Sequence, residues 1–107
     1  MKDLSNEIMT RLSSVAAKVF PNKEGKAYLY GSRARGESRY NSDWDILVIT
    51  EDDIESQEKY DKYVFPFAEI GWYLDAEIIP ITYSEREWEA RKGTIFYNNV
   101  MADAILL

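Results

Sequence analysis

The chain has 107 residues, 46% apolar or aromatic and 30% charged, a composition that suits one ordinary globular domain with a single core. It contains no cysteine and no histidine, which excludes disulfide frameworks, thiolate and imidazole zinc sites, and Cys-His or Ser-His-Asp catalysis. Its formal net charge of −6 runs against the Lys/Arg footprint that long DNA or RNA requires of a partner.

From Asp3 to Phe20, Leu4, Ile8, Leu12, Val15 and Val19 recur at spacings of four, four, three and four, with polar residues between them. That spacing predicts an amphipathic helix. Pro21 to Gly25 is a run of turn residues, and Ala27 to Tyr30 reads as a short buried strand that stops at Gly31. Ser32 to Ser42 is polar and rich in arginine, with Gly36 inside it, which allows a helical turn and a loop. Asp43 to Thr50 reads as the second strand. Glu51-Asp52-Asp53 is expected to open a polar helix, because acids favour the positive end of the helix dipole. That helix should run through Tyr60, Tyr63 and Val64 until Pro66 kinks or ends it.

Asp75 to Thr82 reads as a third strand, whose Pro80 points to a sheet edge or a strand end. Ser84-Glu85-Arg86-Glu87 has capping-box spacing for a helix through Trp88 and Arg91. Gly93-Thr94 interrupts it, and Ile95, Phe96, Val100, Ala104 and Leu107 resume a helical stripe. The closing NNVMADAILL suits docking on the sheet or a homodimer face, two outcomes that periodicity does not separate. With no repeat and no linker, the order α, β, β, α, β, α predicts a single α/β (α+β) domain over residues 1–107, a small mixed sheet with flanking helices. No apolar run reaches the roughly 18 residues of a membrane span, and the opening Met-Lys-Asp-Leu lacks the apolar core of a secretory signal, so a cytoplasmic protein with no membrane contact is expected.

The chemistry concentrates in YGSRARGESRYNSDWDILVIT, Tyr30 to Thr50. Strand side chains alternate, so Asp43 and Asp45 project together, about 7 Å apart along the backbone, while Trp44, Ile46 and Val48 take the other face. Carboxylates at the mouth of a buried strand are costly unless neutralised, and a magnesium ion with its demand for hard oxygen ligands is the first candidate. Asp75 and Glu77 share a face of the third strand and offer a third carboxylate, with Glu77 preferred because apolar Ala76 and Ile78 bracket it. Gly31 lets a phosphate approach the backbone and Ser32 adds a hydroxyl, while Arg33, Arg35 and Arg39 supply positive charge near that anion.

These residues, GSRARGESRYNSDWDILV, resemble the signature of the minimal nucleotidyltransferases of the DNA polymerase beta superfamily: Gly-Ser, a gap of about ten, Asp-x-Asp, and a later isolated acid in a strand. Gly31 and Ser32 fall on the Gly-Ser, Asp43 and Asp45 on the two metal-binding acids, and Glu77 on the third, where the family usually carries aspartate. The resemblance runs from Tyr28 to about Thr82, and the tail from Glu87 is similar to the closing helix of single-domain members. It implies the polymerase beta-like fold and magnesium-assisted transfer of a nucleoside monophosphate, AMP from ATP or another NTP, with pyrophosphate released. Asp43 and Asp45 would hold two metals, Glu77 would orient or deprotonate the acceptor hydroxyl, and Gly31, Ser32, Arg33 and Arg35 would contact the triphosphate.

Small chains of this family often act as antitoxins beside a HEPN-type RNase toxin, which implies a protein partner. The competing reading from another class is a binding module that neutralises its partner by occlusion, with a vestigial active site. Trp44 and Trp88 are expected in packing roles, not as platforms for a base.

Overall fold

In the computed structural model, residues 4–39, 41–51, 53 and 56–107 are described. The first helix, α1 (Ser5–Val19), buries Ile8, Leu12 and Ala16, one residue per turn on one stripe, with Val15 and Val19 half-buried at its border. Its last backbone bond runs from Phe20 to Ala16 at 2.9 Å, and Pro21, which has no amide proton to donate, follows at once. Strand β1 (Lys26–Tyr30) and the short helix α2 (Ser32–Arg35) flank Gly31, as the sequence predicts, and β2 (Trp44–Thr50) follows.

The next helical stretch departs from expectation. Asp52 and residues 54–55 lie outside the described residues, and the helix begins among the described ones at Ser56: α3 (Ser56–Lys59) passes into a π-helical turn, Tyr60–Val64, and then into α4 (Phe65–Leu74). Pro66 therefore neither ends the run nor sits in a helix interior. The widened turn before it leaves the ring in the first turn of α4, where its missing N–H is no loss. The helix closes at Asp75, which takes a left-handed conformation at φ 52°, and Gly71 lets the chain fold back tightly: a Cβ there would stand 2.3 Å from the Ala76 carbonyl oxygen.

Strand β3 spans Ile78–Ser84, so Asp75 and Glu77, expected within it, precede it. Ser84 then caps α5 (Glu85–Glu89) with the full capping box: its hydroxyl accepts from the Glu87 amide at 3.1 Å, and the Glu87 carboxylate accepts from the Ser84 amide at 2.8 Å. That helix stops at Glu89, short of Arg91. After Gly93, Thr94 caps α6 (Ile95–Asp103), accepting a bond from the Tyr97 amide at 3.2 Å. The expected helical stripe does not reach Leu107, because residues 105–106 form a fourth strand, β4 (Ile105–Leu106), on the open side of β1. Once the chain leaves α6 its backbone groups need partners, and the edge of β1 supplies them, as in the Leu107 amide to Ala27 carbonyl bond at 2.9 Å.

The sheet order is β3-β2-β1-β4, with β2–β3 parallel and the other pairs antiparallel. Parallel pairing requires a crossover, which α3 to α4 provide. Central β2 is buried on both faces from Ile46 to Thr50, the pattern of a strand covered on each side. One face carries Trp44, Ile46, Val48, Ala27 and Leu29 against Ile8, Leu12, Phe67 and Ile70 of α1 and α4. The other carries Leu47 and Ile49 against Trp88 and Val100 of α5 and α6. Pro80 lies on edge strand β3. The Trp44 amide bonds the Glu77 carbonyl at 2.8 Å and Trp44 pairs with Ile78. Residues 77, 79 and 81 therefore bond inward, which turns Pro80 toward the open edge, where an N–H is not needed.

Candidate functional site

Strand alternation sends Asp43 and Asp45 to the face opposite Trp44, as expected. Asp45 sits in the first row of that face, opposite Tyr30 on β1 and Ile79 on β3. It is half-buried, whereas Asp43 is exposed. Burial raises the Asp45 carboxyl above its ordinary pKa, and the neighbouring Asp43 charge raises it further. A hard divalent cation between them would relieve both effects, and the oxygen-only donor set suits one.

Gly31 stands against Asp45. Its backbone, φ 79° and ψ −157°, lies in a region open to glycine almost alone, and a Cβ there would fall 2.6 Å from Asp45 Oδ2. Glycine is thus required by torsion and by the carboxylate it touches. Ser32 opens α2, and its carbonyl accepts the Glu37 amide at 3.0 Å, which closes the turn beneath it. Gly31, Ser32, Asp43 and Asp45 are therefore brought to one end of the sheet.

Glu77 reaches that end by a different route. Extending the β2–β3 register by one residue sets it opposite Asp43, on the same face, exposed and just ahead of the strand. Among the described residues no three carboxylates stand close enough to hold one ion, and Glu77 is placed as a register neighbour of Asp43. Asp75, the other candidate, is the helix-closing residue of α4.

Both arginines have protein partners. Arg33 lies over the Trp44 ring, 4.3 Å from its centre, and donates to the Ser42 carbonyl at 2.8 Å and to Ser5 Oγ at 3.3 Å. It ties the 36–43 loop to the sheet and to α1. Arg35 bonds Asp103 at 2.6 Å and Glu37 at 3.2 Å, which couples the turn after Gly31 to the end of α6. The Asp103 contact spans 68 positions and no local pattern announces it.

Tyr30 is a site neighbour that the sequence reading passed over. Burial first, then Asp45 and Tyr83, push its phenol up to about 12, so it remains a hydroxyl donor at any physiological pH. Its place immediately before Gly31 was the signal in the sequence, and the β1–β2 register is what sets it across from Asp45. Trp44 and Trp88 are buried, as expected of packing residues, whereas Trp72 and Tyr73 are exposed on α4.

The family model described as polymerase beta, nucleotidyltransferase matches residues 16–78, more than half of the chain. No curated protein matches the sequence. Among solved structures, a toxin–antitoxin with AMP-PNP is similar at 18% identity and a TM-score of 0.56, covering 87% of this chain and 69% of that one. A mutant of the toxin–antitoxin MntA-HpeT is similar at 18% identity and a TM-score of 0.50, covering 96% of this chain and 69% of that one. With that match running from α1 through the start of β3 and spanning both Gly31-Ser32 and Asp43-Trp44-Asp45, the chain belongs to the polymerase beta nucleotidyltransferase family.

Proposed function

We propose that this chain transfers AMP from ATP, with magnesium, to a hydroxyl of a protein acceptor in the cytoplasm, and that it serves as the antitoxin of a HEPN-type toxin. The observation that carries the reading is the Asp43–Asp45 pair on one face, with Gly31 packed directly against Asp45. The two solved toxin–antitoxin structures support the antitoxin half.

In this reading Asp43 and Asp45 hold the cation, which when bound supplies positive charge against the phosphoryl oxygens. The Gly31 backbone and the Ser32 hydroxyl hold the triphosphate. Glu77 takes the proton from the acceptor hydroxyl, whose oxygen bonds the α-phosphorus while the bond to the bridging oxygen of pyrophosphate breaks. Arg35 would have to exchange Asp103 for a phosphate oxygen to take part, and Arg33 acts by holding the loop.

The engagement of Arg35 by Asp103 and Glu37, which keeps it from a phosphate, favours a second reading, in which the chain binds and occludes its partner without turnover. Label from α-labelled ATP with magnesium, followed into a lysate of the source cell, separates the two. The first reading expects a labelled acceptor that disappears with Asp43→Asn/Asp45→Asn. The second expects no label and a partner that co-purifies equally with both chains.

A further inference from the structure

Helix α6 meets the candidate site along one flank. Phe96, in its first turn, packs T-shaped on Tyr30, with 6.2 Å between ring centres and 87° between planes. Asp103, seven residues on, bonds Arg35 at 2.6 Å. Tyr30 and Arg35 stand on either side of Gly31-Ser32 in the chain, so positions 96 and 103, which share a helical stripe, bring α6 alongside that turn. Asn99 lies on the same stripe between them, three residues after Phe96 and four before Asp103. It is exposed, and its side-chain amide has no partner among the described residues. Trp88 braces Phe96 with a second T-shaped contact at 6.0 Å, yet the Phe96 ring stays 39% exposed. A held ring with open surface beside an uncommitted amide matches the two features of a nucleobase, its π-face and its hydrogen-bonding edge.

We propose that this flank of α6 is the base site of the donor nucleotide, with Phe96 as the stacking platform and the Asn99 amide as the group that reads adenine. The proposal rests on the transfer reading above and adds what holds the nucleoside. Topology selects this occupant. Glu77, the group that meets the acceptor in that reading, lies on the β3 side of the aspartates, whereas Gly31 and α6 lie on the β1 side. The acceptor therefore arrives from the β3 side, which leaves the flank beside the triphosphate turn to the nucleoside carried by the same molecule. The chemistry of the amide selects the base. It donates and accepts side by side, which complements the amino group and N7 of adenine; guanine shows two acceptors there and calls for Lys or Arg, and α6 carries neither.

Titration calorimetry of the full chain with magnesium and ATP, GTP or tripolyphosphate tests this. The native chain is expected to prefer ATP to both of the others. Phe96→Leu should weaken ATP about tenfold, the loss of one base stack, and leave tripolyphosphate unchanged, while Phe96→Trp, which keeps an aromatic face, should retain ATP. Asn99→Ala should bring ATP and GTP to equal affinity, and Asn98→Ala, one exposed position away, should change nothing. Because Asn99 is exposed, its variant keeps the test decisive even where Phe96→Leu loosens the packing on Trp88. ATP that is indifferent to both Phe96→Leu and Asn99→Ala overturns the base site while the transfer reading stands. Variants that bind ATP as before but no longer label the acceptor give this flank to the acceptor and overturn it as well. A native chain that binds neither ATP nor tripolyphosphate refutes the transfer reading itself, and the base site with it.

Discussion

Gly31→Ala attacks the site at one added methyl group, and its effect can be worked from the geometry. The backbone at this position, φ 79° and ψ −157°, costs a residue with a Cβ about 1–3 kcal/mol. The new Cβ would stand 2.6 Å from Asp45 Oδ2, where ordinary contact begins at 3.4 Å, so the carboxylate must retreat by about 0.8 Å (3.4 − 2.6). A shift of that order in a positioned group costs about 10²-fold in rate. For a domain of this size, the strain alone should lower the melting midpoint by at least about 4 °C.

Gly36→Ala supplies the control, because Gly36 is also left-handed, at φ 74°, yet a Cβ there meets nothing within 4 Å. It should cost stability and leave the rate of pyrophosphate release nearly unchanged. The assay is thermal unfolding beside pyrophosphate release from ATP with magnesium and the acceptor identified by label transfer. If Gly31→Ala slows release no more than Gly36→Ala does, the claim that Gly31 positions Asp45 is refuted. A Gly31→Ala protein with the native midpoint would refute the strain argument.

Asp45→Asn should separate stability from activity. Because burial and Asp43 raise the Asp45 pKa, its ionised form destabilises the fold, so this group's contribution is most favourable at low pH and is lost as pH rises through its carboxylate range. In EDTA at neutral pH the variant should melt above the native chain, with the gap closing as the buffer is acidified, and it should not support transfer. Ser84→Ala removes a fully buried cap and should cost about 1–2 kcal/mol by chemical denaturation. Glu87 behaves in the opposite sense to Asp45: the Ser84 amide holds its carboxylate below the ordinary range, so the stability it contributes is present at neutral pH and is lost on acidification. Glu87→Gln should therefore flatten the acid limb of the stability–pH profile. Leu12→Ala, at a position with no exposed surface, should cost about 2–5 kcal/mol in the same titration.

The elements that sequence reading located well are those governed by neighbours in the chain. Side-chain alternation alone sends Asp43 and Asp45 one way and Trp44, Ile46 and Val48 the other. The spacing of Ile8 and Leu12 marks the buried stripe of α1, and Ser84 with Glu87 announces a capping box whose two bonds are both local. Pro80 marked a sheet edge or a strand end because a missing amide proton is tolerated only where no strand asks for it, and the edge is what the sheet order shows. Gly31 and Ser32 were legible for the same reason, since a sharp turn at a strand end demands particular residue types.

What required the tertiary structure is what depends on partners distant in sequence. Pro66 was read as a kink or an end, but packing of α4 on α1 and β3 favours continuing the helix, and a π-helical turn precedes the ring. The tail was read as helix to Leu107, but β1 offers an unpaired edge that only the assembled sheet creates. The same holds at the site. The partners that hold Arg33 on Trp44 and Arg35 on Asp103 lie across the fold, and register, not composition, decides that Tyr30 faces Asp45. By itself the sequence determined which residues are candidates for the chemistry, through local spacing. Their relative placement, with Glu77 opposite Asp43 and just ahead of β3, was decided by how β2 and β3 begin to pair, a non-local balance of hydrogen bonds that no short window of residues contains.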